Sequence, residues 1–214
     1  MLHKYPGKLI LFEGCEGSGK STLIKELAFS LKLFGYVVVE TKEPGHATPI
    51  GVKIREMLMD PNLPMRHKEE LTLFFRCRAD HFKKIIIPAL GKCKTILCDR
   101  SSPSTIAYQH YGRGLDLTDI LVRDAKARQN VGFDLIILLD IDPEIGLKRK
   151  KPETRFELEK IEFHERVRQG YLEQAKNNPD KQWIIIDASL PLNIVKTKAL
   201  KAILEMLQKE KKLA

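Results

Sequence analysis

Short apolar runs alternate along the chain with longer stretches in which apolar residues return every three or four positions. The runs are Lys8-Leu9-Ile10-Leu11-Phe12-Glu13, Tyr36-Val37-Val38-Val39-Glu40, Thr95 to Asp99, Asp134 to Asp140 and Trp183 to Asp187. Each has the length and content of a strand buried in a parallel sheet. Leu23, Ile24, Leu27 and Leu31 predict a helix from Thr22 onward, which Gly35 stops. Ile50, Ile54 and Met57 or Leu58 predict a second helix toward Asp60, ended by Pro61 and Pro64. Leu71, Phe74, Phe75 and Phe82 predict a third, from about Lys68 to Ile87. Ser102-Pro103 opens a helical segment to Tyr108 that Gly112-Arg113-Gly114 breaks, and Asp116 to Gln129 reads as a further helix. Asp142-Pro143-Glu144 is an N-cap followed by proline at the first helical position. The short helix it starts leads into a charged link, then a helix from about Phe156 to Lys176; an amphipathic run from Leu192 to Leu207 closes the chain. This alternation predicts an α/β fold, a five-stranded parallel sheet with helices on both faces. No repeat or linker divides it, so residues 1–214 are expected to form a single domain.

The first strand and first helix enclose Gly14-Cys15-Glu16-Gly17-Ser18-Gly19-Lys20-Ser21, which fits the phosphate-binding P-loop pattern G-x-x-x-x-G-K-[ST]. Strand, glycine loop and helix aim successive backbone N–H groups and a helix N-terminus at one anion. Lys20 is expected to reach the β- and γ-phosphates of ATP, and the Ser21 hydroxyl to join a Mg²⁺ shell. Gly14 to Ser21, with Thr22, is the candidate nucleotide-binding segment of a P-loop NTPase fold. Thr41 to Pro49 is dense in turn formers and reads as a loop at the C-terminal sheet edge, where open α/β sheets bind ligands.

Composition narrows the partners. Hydrophobic content of 43% and charged content of 30% are those of a water-soluble domain. The four cysteines, Cys15, Cys77, Cys93 and Cys98, form no metal-binding spacing, so free thiols in the cytoplasm are expected. The apolar run around Ile10 leads directly into the glycine loop, which argues against a leader or a membrane span. The net charge of +9 comes from 37 basic and 28 acidic residues. It suits an enzyme of polyanionic nucleotides better than a nucleic-acid binder, since no basic motif accompanies it.

Phosphoryl transfer chiefly needs two phosphates aligned and their charge neutralised. Asp99-Arg100, at the end of the third strand, offers a carboxylate for the metal's water shell or the acceptor and a fork for an acceptor phosphate. Arg149 and Arg155 stand in the link at about 148–156 and could close over ATP as a lid; a plain surface charge run has the same composition. Phe74 and Arg78 lie four apart on one helical face, spaced for a ring stacked on a base and a fork at its carbonyl. Core packing beside a rim arginine gives the same pattern.

Several stretches together resemble the thymidylate kinase family. They are the P-loop with an acidic residue in place of an arginine, Thr41-Lys42-Glu43-Pro44-Gly45, Pro49-Ile50-Gly51 with Ile54-Arg55-Glu56, and Leu73-Phe74 with Arg78-Ala79-Asp80-His81. Asp99-Arg100 with Ser104-Thr105-Ile106-Ala107-Tyr108-Gln109, Tyr111-Gly112-Arg113-Gly114, and Arg155-Phe156-Glu157 with Phe163 to Leu172 continue the match to residue 187. The resemblance implies ATP-dependent, Mg²⁺-assisted phosphorylation of dTMP to dTDP by a homodimer. It implies Lys20, Asp99, Arg100, Arg149 and Arg155 as catalytic residues and Ser21 and Asp99 at the metal. Glu43, Pro44, Phe74, Arg78, Arg100, Ser104, Thr105, Tyr108 and Gln109 would hold the acceptor. The departures are Lys42 for an arginine, His46-Ala47 for a glycine, Ser101-Ser102-Pro103 after the Asp-Arg pair, and Thr154 for an aspartate. All but the last fall on the acceptor side. The same kinase chemistry on another nucleotide or nucleoside, and a nucleic-acid-binding P-loop protein, are the competing expectations.

Overall fold

A computed structural model describes residues 3–45, 47–149, 153–178 and 182–211. His46 of the acceptor loop and Lys150 to Pro152 of the basic link, both singled out above, lie outside the described residues. Five parallel strands among the described residues form one sheet: β1 (Lys8–Glu13), β2 (Val38–Lys42), β3 (Thr95–Asp99), β4 (Leu135–Asp140) and β5 (Trp183–Asp187), in the order β2-β3-β1-β4-β5. This α/β architecture is that of the P-loop NTPase fold. The central strand β1 pairs with β3 on one side (Phe12 opposite Asp99) and with β4 on the other (Phe12 opposite Ile137). The site therefore gathers at the carboxyl ends of β1 and β3.

Side chains of β1 alternate between two cores. Ile10 and Phe12 pack with Leu97, Ile137 and Leu139 under α1 (Lys20–Leu33) and α9 (Leu192–Lys211). Leu9 and Leu11 pack with Ile96, Cys98 and Ile136 against Phe82, Ile86 and Leu90 on the opposite face. Burial on both faces is why these strands read as near-continuous apolar runs. On that second face, α2 (Pro49–Met59) leads to α3 (His67–His81). A π turn over Phe82–Ile86 then joins α3 to α4 (Ile87–Gly91). The predicted helix thus runs past Ile87 through Pro88; the wide turn, closed by Ile87 N–H on Phe82 O, leads into a new helix start where proline is tolerated.

A short α5 (Ser102–Thr105) passes into a π turn over Ile106–Gly112, followed by α6 (Leu117–Ala127). The segment therefore stays helical four residues past the expected end at Tyr108 and stops at Gly112, where the Gly112-Arg113-Gly114 break was expected. α7 (Pro143–Lys148) and α8 (Ile161–Lys176) complete the fold. Two expectations shift. β2 begins at Val38 and includes Lys42, because its ladder partner β3 extends to Asp99 (Lys42 opposite Asp99). α8 starts five residues after Phe156, because the Glu157 carboxylate accepts the N–H groups of Glu153 and Thr154 and holds a turn there.

Candidate active site

The glycine loop closes because its neighbours leave no room for side chains at two positions. A Cβ on Gly17 (φ 70°) would lie 1.9 Å from Gly146 O in α7, and one on Gly146 would lie 2.3 Å from Glu16 O. Loop and helix thus touch backbone to backbone, glycine on glycine. Within the loop Lys20 is buried and its Nζ donates to Gly14 O (3.1 Å), Cys15 O (2.9 Å) and Ser18 Oγ (3.1 Å). Burial lowers its pKa, with Arg100 adding to the effect and Asp99 and Glu16 opposing it. Cys15 is buried in the loop, where its thiol is pushed up to about 12 by burial against the pull of Lys20 and Arg100; it is an inert spacer.

The Ser21 hydroxyl donates to Asp99 Oδ2 at 2.6 Å, tying the loop to β3. A hydroxyl and a carboxylate adjoining a phosphate loop are the hard oxygen donors that Mg²⁺ takes beside phosphates and water. Among the described residues no group of three or more His, Cys, Asp or Glu is placed to hold a metal ion, so a bound Mg²⁺ would rely on this pair and on the phosphates themselves.

Arg100 follows with φ 69°, a left-handed backbone that costs an L-residue about 1–2 kcal/mol. Its N–H donates to Phe12 O at 2.9 Å. The turn points its side chain back at the loop, where Nη2 donates to Glu16 Oε1 (3.0 Å) and Nη1 to Tyr171 Oη (2.8 Å) and Ser104 Oγ (3.2 Å). The guanidinium also lies 5.0 Å from the Tyr108 ring centroid. Glu16 accepts from Tyr108 Oη at 2.8 Å as well. Burial works to raise the pKa of Glu16, but Arg100 and Lys20, with the Tyr108 hydroxyl, hold it at about 2.

On the acceptor side Arg78 is almost fully buried. Its Nε donates to Glu43 Oε2 (2.7 Å), Nη1 to Asp124 Oδ1 (2.6 Å) and Nη2 to Thr105 Oγ1 (2.9 Å). Glu43, joined to Pro44 by a cis peptide bond, is also held by His81 Nδ1 (3.1 Å) and Ser101 Oγ (3.3 Å). Burial opposes the ionisation of Glu43, but Arg78 and His81 hold its pKa below the ordinary value. Gln109 donates to Glu70 Oε1 (3.1 Å). Phe74 lies 6.0 Å from Phe156, ring to ring, at the rim.

Many of these groups line one cleft of about 410 Å³. It brings together Glu16 to Thr22, Glu43, Pro44, Phe74, Arg78, Asp99, Arg100, Ser104, Thr105, Tyr108, Gln109 and Arg149. Arg149 Nη1 donates to Ala188 O (3.1 Å) and Gly17 O (3.4 Å), beside the loop. Arg155 does not line the cleft: its guanidinium donates to Asp60 O (2.9 Å) and Leu63 O. Gly14 and Cys15, the first two residues of the loop, do not line the cleft either.

Several members were missed as site residues from sequence. Lys42, Arg55, Met59, Ser101, Thr154, Phe156 and Glu157 also line the cleft. Asp124 holds Arg78 from α6, and Glu13 accepts from Ser101 N–H (2.8 Å) at the end of β1. Glu13, a carboxylate ending an otherwise apolar strand, carried a signal; Asp124, four residues before Arg128, looks in sequence like a surface ion pair. Two of the departures from the family pattern, Ser101 and Ser102, have partners. Ser101 holds Glu13 and Glu43, and Ser102 Oγ donates to Asp124 Oδ1 (2.8 Å).

A family model described as thymidylate kinase matches residues 12–199. The chain is 44% identical over 193 residues to a thymidylate kinase of Geotalea uraniireducens, covering 86% of this chain and 90% of the relative. It is 45% identical over 190 residues to one from Desulforapulum autotrophicum, covering 84% and 83%. With one from Pelotomaculum thermopropionicum it shares 41% over 206 residues, 94% of each chain.

Proposed function

The chain belongs to the thymidylate kinase family, and we propose from the geometry of its cleft how it phosphorylates dTMP with ATP. The enzyme is a nucleoside monophosphate kinase. The observation that carries the reading is a single cleft with the phosphate loop at one end, Phe74, Arg78 and Gln109 at the other, and Asp99 and Arg100 between them. Two nucleotides entering from opposite ends meet phosphate to phosphate at that middle.

In this reading the loop N–H groups and Lys20 hold the β- and γ-phosphates, and Lys20 releases its three loop acceptors to do so. Ser21 and Asp99 would hold Mg²⁺, whose chemistry is to neutralise and orient the phosphate oxygens. Arg100 grips the dTMP phosphate, and protein groups hold its guanidinium in place. Arg149 neutralises charge at the donor end; Arg155 joins it only after leaving the carbonyls of Asp60 and Leu63. Phe74 stacks on thymine. Arg78 keeps a second hydrogen on each terminal nitrogen for a base carbonyl, while Thr105, Gln109 and Tyr108 line the base and sugar.

One domain over 1–214 carries this site. A homodimer is supported by apolar residues left exposed on the α2–α3–α6 layer: Ile50, Val52 and Met57 on α2, Leu121 and Val122 on α6. No described helix is long and apolar enough to cross a membrane. Free cysteines, Cys93 of them exposed, suit a reducing cytoplasm. The acceptor panel tests the reading: turnover with dTMP well above that with dCMP, dGMP or dAMP is expected. Equal or better turnover with another acceptor would move the substrate, and salt-sensitive DNA binding without any transfer would replace the function altogether.

A further inference from the structure

Glu13 takes no part in the reading above, yet it is fully buried and sits directly behind Arg100. Its Oε1 accepts from Ser101 N–H (2.8 Å). Its Oε2 accepts from Ser104 Oγ (2.5 Å) and Tyr171 Oη (3.2 Å). Those two hydroxyls are the same ones to which Arg100 Nη1 donates, at 3.2 Å and 2.8 Å, and they lie 2.7 Å from each other.

A hydroxyl has one proton to give and two lone pairs to offer. An arginine can only donate, so a hydroxyl facing it must direct its proton elsewhere. Glu13 Oε2 is an acceptor within reach of both protons; one hydroxyl can also donate to the other, but then the second proton has only Glu13 to go to. We propose that Glu13 is a positioning residue for the phosphate-gripping Arg100: by accepting from Ser104 and Tyr171, it turns both hydroxyl lone pairs toward Nη1 and fixes the fork for the dTMP phosphate. Glu13 comes from β1, Ser104 from α5 and Tyr171 from α8, so the support is three-sided and independent of the glycine loop. Burial pushes the Glu13 pKa up to about 7, against the pull of Ser104, Arg100, Ser101 and Lys20; the buried carboxyl is thus compensated only in part by the network it organises.

The inference rests on the assignment of Arg100 to the acceptor phosphate, and the experiment separates the two. Glu13→Gln keeps volume and the acceptor for Ser101, but turns an amide N–H₂ toward Ser104 and Tyr171. One hydroxyl can then give its proton to the other, but the second is left with no acceptor away from Arg100 and must present its proton where Arg100 presents its own. Steady-state kinetics should show the KM for dTMP rising about tenfold, with the KM for ATP moving less than about twofold. Tyr171→Phe keeps the buried ring and removes one relay, so a smaller rise of about threefold in the same parameter is expected. It carries the test with the same readouts if Glu13→Gln does not fold. In an Arg100→Ala background either substitution should have no further effect on dTMP binding, because each acts only through the arginine. Effects that multiply in that background, or equal rises in both KM values, would overturn the positioning role. An Arg100→Ala enzyme with unchanged KM for dTMP would instead overturn the assignment of Arg100 itself.

Discussion

The Ser21 hydroxyl and the Asp99 carboxylate, seventy-eight residues apart in sequence, meet at 2.6 Å where the phosphate loop joins β3. The contact already joins the two oxygen groups proposed to hold Mg²⁺, so that pair would need little rearrangement to do so. Asp99→Asn keeps the shape and removes the charge. The half-saturating Mg²⁺ concentration at fixed ATP should rise about tenfold while the KM for dTMP changes less, measured as initial rate against Mg²⁺.

Gly146 lies outside the glycine loop yet shapes it. A methyl there would sit 2.3 Å from Glu16 O, whereas one on Gly19 would meet nothing within 4 Å. Gly146→Ala should therefore raise the KM for ATP by an order of magnitude or more, and Gly19→Ala should show only the strain of its left-handed backbone, about 1–2 kcal/mol. ATP titrations of the two variants decide this; equal effects would mean that the contact between loop and α7 is immaterial.

Arg78 balances two buried carboxylates, Glu43 and Asp124. Removing one member of a buried pair leaves an uncompensated charge and costs about 3–5 kcal/mol. Arg78→Ala leaves both acids exposed to that cost, and its thermal midpoint should fall by about 10 °C. Asp124→Asn, which keeps an acceptor for Ser102, should lose less than half as much. Calorimetry of both variants measures the difference.

Lys42 lies opposite Asp99 in the ladder and lines the cleft. Burial lowers its pKa, Arg55 adds to that, and Asp99 opposes it. An ammonium offers the acceptor phosphate a point charge where a guanidinium offers a fork. Lys42→Arg should lower the KM for dTMP severalfold, up to about tenfold, with kcat little changed. No change in KM would show that position 42 stays clear of the phosphate.

Two carboxylates flanking Arg100 make stability depend on pH in opposite senses. Glu13 has a folded pKa of about 7 against 4.5 unfolded, so the native state holds its proton more tightly. Its contribution is complete below pH 4.5 and is lost as pH rises through 7. Glu16, held at about 2, contributes above pH 4.5 and loses that contribution as pH falls toward 2. The thermal midpoint of wild type minus that of Glu13→Gln should fall between pH 4.5 and 7. The difference from Glu16→Gln should fall from pH 4.5 downward.

Local order was readable wherever a short segment carries its own physics. β3 and β5 occupy the predicted residues, because a buried parallel strand is a short apolar run between polar ends. The end of β2 was not readable: Thr41 and Lys42 look like loop residues and become strand only because β3 supplies partners as far as Asp99. The start of α8 was misplaced for a similar reason. Phe156 has a helical pattern behind it, but its ring packs against Phe74 and Tyr108 at the cleft while Glu157 caps the turn.

By itself the sequence determined the donor half of the enzyme. A phosphate loop is eight consecutive residues, and its strand and helix follow it without a break. The tertiary structure decided what surrounds Arg100 and Arg78. Glu16 lies 84 positions from Arg100 and Tyr171 lies 71, while Glu43 and Asp124 lie 35 and 46 from Arg78. In an extended chain these are ordinary hydrated side chains. Folding removes the water around them, and each charge then depends on whichever partner the sheet and its helices have carried within 3 Å.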